Sequence, residues 1–221
     1  MKRYRLRRLV TLIVLLLMVA VPFANGHFDA PSFMLTEPST NDGRSTAALL
    51  AELPVKGRAP KTGYERAQFG NGWDSSLGCD TRNRVLARDL TVVRIDTECR
   101  VISGSLADPY TGKTIAFLRG ATTSEAVQID HVVALSNAWQ TGAQGLPYER
   151  RVLFGNDPLN LLAVDGAANQ QKADGDAATW LPPNRPFRCQ YVDRQVRVKQ
   201  KYALWVTPAE RDAIRRVLAR C

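Results

Sequence analysis

The stretch "QIDHVVALSNAW", residues 128–139, holds the second of the chain's two histidines, His131, directly after Asp130. Metal-assisted hydrolysis uses such a pair: the carboxylate holds a hard divalent cation, and a neutral imidazole takes a proton from water. The surrounding run is β-branched, and adjacent residues of a strand point to opposite faces. Both groups therefore meet in one site only where the strand ends or bends. An ionised aspartate in an apolar strand is also costly unless a cation or hydrogen bonds compensate it. An Asp-His pair serves equally as a structural hydrogen-bonding unit, and the dipeptide by itself leaves both readings open.

Further along, "NDPLNLLAVDGAANQQKADGD" sets Asn160 at the head of an apolar strand, Asn169 in a following helix and Lys172 beyond it. A strand, a turn and a helix crossing back bring Asn169 towards the strand of Asp130. Amide oxygens suit Mg2+, which prefers oxygen ligands and keeps several waters. Arg82 in "CDTRN", Arg151 in "ERRVLFGND" and Lys172 are candidates for phosphate contacts, which give affinity without sequence preference. The competing reading for each is a solvated charge or a structural ion pair. Capping and turn roles account for Asp89, Asp157 and Asp174. Core packing accounts for Trp139 and Trp180 better than stacking on bases does. The run "RQVRVKQKY" at 194–202 reads as a solvated helix face, with a nucleic-acid groove as the alternative.

These residues need elements to hold them. "RVLARDLTVVRID" and "CRVISGSLADPYTGKTIAF" read as a helix end or strand followed by two or three strands, from their β-branched residues and turn signals. "SNAWQTGAQGLPYERRVLFGND" is helical in two pieces broken near Gly145 and Pro147, and "LNLLAV" suits a buried strand. "DGAANQQKADGD" opens a helix with an aspartate cap. Two helices close the chain, over about 187–204 and from Thr207 onward, where "TPAE" is a capping box with Pro208 at the first helical position. The class is α+β, a single domain behind a tether.

The chain has 221 residues, 45% of them hydrophobic, enough to bury a core. Its formal charge is +9, and more than half of that comes from Lys2, Arg3, Arg5, Arg7 and Arg8, ahead of the first apolar run. The remaining surplus is compatible with polyanion binding without demanding it. Residues 1–24 have the layout of a signal peptide or membrane anchor; the apolar run from Leu9 to Ala24 is shorter than the roughly 20 residues of a spanning helix. Pro22 interrupts its end and sits poorly for cleavage, so an uncleaved membrane tether stays open. Residues 25–63 read as a flexible tether with one short helix at 46–53 and with His27 as a solvated linker residue; the body runs over 64–221. Either way the body is exported, secreted or held in the cell envelope. Export turns Cys79, Cys99, Cys189 and Cys221 into a disulfide set, with Cys79–Cys99 and Cys189–Cys221 favoured because each pair falls within one local unit. A structural zinc site is disfavoured by the lack of any C-x-x-C spacing.

"DHVVAL", "NLLAV" and the N-x-x-K that follows resemble the HNH endonucleases, the ββα-metal nucleases. With "GCDTRNRVLARDL", "DPYTG", "WLPPN" and "RCQYV", the chain is most similar to a secreted bacterial branch related to the C-terminal domain of GmrSD restriction endonucleases. The resemblance covers 64–221 and implies a ββα-metal core with an additional β-hairpin and C-terminal helices. It implies that His131 is the general base, that Asp130 and Asn169 are metal ligands, and that Asn160 positions the loop and orients the histidine. Asn169 stands where that pattern has its last histidine, a change that weakens the metal site more than the chemistry. The expected protein is a monomeric, metal-dependent endonuclease acting on DNA, with RNA as the alternative substrate. Its expected cofactor is Mg2+, or Mn2+ in its place. The alternative from another class is a catalytically silent nucleic-acid-binding or cell-envelope module that keeps the fold.

Overall fold

The structure is a computed structural model, and it describes residues 45–221. The expected leader at 1–24 and most of the expected tether, His27 included, lie outside the described residues. Among the described residues no helix is long and apolar enough to cross a membrane.

Among the described residues, seven α-helices and two small antiparallel sheets make an α+β fold. After α1 (Thr46–Glu52) and a 3-10 turn (Arg66–Phe69) comes α2 (Thr81–Asp89), capped by Asp80, whose carboxylate accepts from the Asn83 amide. The chain then forms a meander of β1 (Leu90–Ile95), β2 (Val101–Ala107) and β3 (Thr114–Leu118) in that order. The expected hairpin is thus three strands. Between Thr91 and Arg94 the register shifts at a bulge, with Val92 at φ 50°.

The second sheet is a ribbon of β4 (Val127–His131) and β5 (Leu161–Asp165). Between its strands lie α3 (Leu135–Gln140) and α4 (Tyr148–Gly155). Directly after it comes α5 (Gly166–Lys172), capped by the Asp165 carboxylate, which accepts from the Ala168 amide at 2.7 Å. β4, β5 and α5 make a β-β-α unit with two helices inserted. The ribbon is covered on both sides, so β5 reads "LLAV" without the alternation of a half-exposed strand. Leu162 and Val164 pack with Tyr110, Val192 and Ile214, while Leu161 and Ala163 pack with Val127, Ile129, Leu86 and Phe117.

Two helices finish the chain, α6 (Arg188–Lys201) and α7 (Pro208–Leu218), the latter opened by the Thr207–Glu210 capping box. Disulfides join Cys79 to Cys99 and Cys189 to Cys221, the pairing expected from locality. The first ties the segment before α2 to the β1–β2 turn, and the second ties α6 to the C-terminus.

Residues 45–63, assigned on composition to the tether, lie against this body. Leu49, Leu50 and Leu53 are buried with Val192, Val196 and Ile214, and the Lys56 amide donates to the Val206 carbonyl at 3.0 Å. The basic run at 194–202 is likewise not a solvated face. Lys199 is fully buried with its ammonium 2.8 Å from Glu210, Arg197 pairs with Asp193, and Arg194 donates to the Pro158 and Leu159 carbonyls.

Candidate active site

β4 ends at His131, and the ribbon register sets Asp130 opposite Leu162 and His131 opposite Leu161. The two side chains therefore leave the strand on opposite faces. Because the strand stops there, both still line one cleft of about 470 Å³, together with Asn169, Arg66, Arg82 and Asp174.

Asp130 is 5% exposed and both its oxygens have donors. The Lys172 ammonium lies 2.9 Å from Oδ1, and the Tyr110 hydroxyl donates to Oδ2. Burial pushes the Asp130 carboxyl up, while Lys172 and Tyr110 pull it down; the net direction is upward. The same burial, with Asp130 beside it, drives the Tyr110 hydroxyl far above its ordinary range, so the phenol keeps its proton and donates. Lys172 also donates to the His131 carbonyl at 2.8 Å, fixing the backbone between the two residues.

His131 is 7% exposed, and its Nε2 lies 2.9 Å from the Gly155 carbonyl. A carbonyl only accepts, so Nε2 carries the proton and Nδ1 is the free acceptor of the neutral ring. The Trp73 ring stacks on the imidazole at 5.8 Å and 9°. Burial lowers the His131 pKa to about 3; Arg66 and Lys172 lower it too, and the Gly155 carbonyl opposes them. At neutral pH the ring is uncharged. The close approach of Gly155 has its own requirement: a Cβ there would fall 2.7 Å from the Phe69 carbonyl oxygen.

Asn160 sits outside the cleft, fully buried at the start of β5. Its Oδ1 accepts from the Val133 amide at 2.8 Å, its Nδ2 donates to the Val133 carbonyl at 3.2 Å, and its own carbonyl accepts from the Val132 amide. It clamps the turn that follows His131. Asn169 reaches the cleft from α5, and its Nδ2 donates to Gln128 Oε1 at 2.8 Å.

The three expected phosphate cations separate. Arg82 lines the cleft, half-buried, with one bond from Nη2 to the Val127 carbonyl. Lys172 does not face it as a free cation: its side chain is 0% exposed, closed on Asp130. Arg151 donates to the Gln68 carbonyl and side chain and to the Leu146 carbonyl, and packs over Trp139 and Tyr148. Asp157 has the turn role expected of it, accepting from the Leu159 amide, and also holds Tyr202 and Lys201; Asp89 is structural in another way, holding Arg88 and the Ala163 amide of β5. Asp174 does reach the cleft, bonded to Ser136 and 3.4 Å from Lys61. Trp139 and Trp180 pack in the core. Reading the sequence missed Tyr110, Trp73, Gly155 and Arg66. Tyr110 lay inside the quoted "DPYTG", where the turn signal hid its reach towards Asp130; the other three carried no signal.

Residues 80–217 match the family described as "GmrSD restriction endonucleases, C-terminal domain", and the chain belongs to that family. A nuclease-related role follows from this membership. The chain is also similar to a protein of Arthroderma benhamiae named "Uncharacterized secreted protein", 38% identical over 193 residues that span 86% of this chain and 92% of that one. No solved structure matches the chain.

Proposed function

We propose that the protein is an exported endonuclease of the HNH type that hydrolyses phosphodiester bonds of DNA with a divalent cation. The observation that carries the reading is the neutral His131, its Nε2 committed to Gly155 and its Nδ1 free, at the end of a strand whose preceding residue is a carboxylate lining the same cleft. His131 accepts the proton of the attacking water at Nδ1. Phosphate bound near the ring favours the imidazolium and so strengthens a base that burial has weakened. Asn160 is a positioning residue that holds the backbone behind the ring. Export is supported by the basic start and apolar run of the sequence and by the similarity to a protein named as secreted.

Asp130 and Asn169 are the residues that would hold the cation. Among the described residues no group of three or more His, Cys, Asp or Glu could hold a metal, so the site draws on few protein ligands. That suits Mg2+, or Mn2+, which are bound by one or two oxygens with water completing the shell. A carboxylate offers about four lone-pair directions, and Lys172 and Tyr110 take two of those of Asp130. When bound, such a cation supplies Lewis-acid stabilisation of charge on the phosphate and leaving oxygen.

One observation favours the second reading, a silent nucleic-acid-binding module: both Asp130 oxygens already have donors. Substitution separates the two. His131→Ala, with its fold checked by circular dichroism, is expected to slow plasmid cleavage in Mg2+ by about 10²- to 10⁴-fold, the usual weight of a general base. An unchanged rate would remove His131 from the chemistry.

A further inference from the structure

The cleft holds two carboxylates and two guanidinium groups, and only the carboxylates are in salt bridges. Asp130 is paired with Lys172 at 2.9 Å and Asp174 with Lys61 at 3.4 Å. Arg66 and Arg82 line the same cleft, and among the described residues neither is in a salt bridge. They come from separate elements, Arg66 from the 3-10 turn at Arg66–Phe69 and Arg82 from the first turn of α2. Arg66 is exposed, and its charge acts on both His131 and Tyr64. Arg82 is half-buried beside Arg119; burial and that like charge work against its cation, and Asp80 offsets them only in part. Its one bond, to the Val127 carbonyl, leaves most of its five N–H donors for another partner. Arg119 is no substitute, since it is turned to the Val101 carbonyl.

We infer that Arg66 and Arg82 form a two-armed phosphate grip in the His131 cleft, taking a backbone phosphate of a nucleic acid. Planar guanidinium groups meet phosphate oxygens through paired N–H bonds, and an anion between these two offsets the burial and the Arg119 charge that work against Arg82. The inference rests on the proposed nuclease reading for the choice of a nucleic-acid phosphate. Arg66 takes over the role expected of Lys172 and Arg151, both of which are spent on internal contacts.

The test uses a fluorescein-labelled 20-base-pair DNA duplex and fluorescence anisotropy in EDTA over a series of salt concentrations, with plasmid cleavage in Mg2+ measured alongside. Arg66→Ala is the leading variant, because its side chain is exposed and makes no bond the fold needs. Arg82→Ala is the second, and Arg216→Ala, an exposed arginine on α7, is the control. Each cleft variant is expected to weaken binding about tenfold or more at low salt and to lower the salt slope by about one, the signature of a lost phosphate contact. Arg216→Ala is expected to match the wild type, and Arg66→Lys to recover binding in part. Reduced binding with no cleavage by the wild type would sink the nuclease reading and leave the grip standing. Binding and salt slope unchanged in Arg66→Ala, or a wild type that binds no duplex at low salt, would overturn the grip.

Discussion

His131 and Asp130 are neighbours in sequence with opposite electrostatic settings. The imidazole is held neutral by burial, with Arg66 and Lys172 adding to the effect, and its pKa falls from 6.5 to about 3. Between those values the unfolded chain binds a proton that the folded one refuses, so this residue's contribution to stability is present above pH 6.5 and is lost as pH falls towards 3. One such group costs about a tenfold change in the folding equilibrium per pH unit. Asp130, raised by burial, titrates in the opposite sense, so the clean comparison is between wild type and His131→Asn. Urea unfolding in EDTA from pH 7 to 4.5 is expected to show the wild type losing stability faster than the variant; parallel profiles would contradict the buried neutral imidazole. The Asp-His pair was legible in the sequence because its residue types are rare in a β-branched run. Its partners were not, since Tyr110, Trp73 and Gly155 reach it across 20 or more positions through packing that leaves no local pattern.

The β4–β5 ribbon and α5 are what bring the cleft together, and much of that unit could be read in advance. The Asp165 and Thr207 caps are local hydrogen bonds between residues three apart, so spacing alone reveals them. The uninterrupted apolar run of β5 marks a strand covered on both faces. Two readings failed for a common reason, which is that composition does not report tertiary burial. The 194–202 run reads as charged, yet Lys199 is closed on Glu210; the tether's polar stretch hides Leu49, Leu50 and Leu53, which pack on α6 and α7. Lys172 belongs to the same class, a lysine that α5 carries into a buried ion pair. The joint most exposed to a single change is Asn160. Asn160→Ala leaves the buried Val133 amide and carbonyl without their side-chain partner, a loss of about 2 to 4 kcal/mol. Its urea midpoint is expected to fall accordingly, and cleavage by the folded variant to fall with it as the turn behind His131 loosens. A midpoint within error of the wild type would show that the clamp contributes nothing.

The described body is an α+β unit stapled by two disulfides, with a cleft lined by a neutral histidine, a buried aspartate paired with Lys172, and two guanidinium groups that are in no salt bridge. Net charge gave only a weak indication of a polyanion, because much of it sits in the first few residues; the useful quantity is the local surplus at Arg66 and Arg82. Family membership sets the class of chemistry, and the cleft sets where in the molecule it would occur. In the proposed function this cleft cuts DNA with the help of a divalent cation. Incubating supercoiled plasmid with the purified protein in Mg2+, in Mn2+ and in EDTA tests it most directly, with Asp130→Ala run beside the wild type. Nicked or linear plasmid is expected with either metal, and none in EDTA or with the variant. Intact plasmid under every condition, or cleavage that proceeds equally in EDTA, would contradict it.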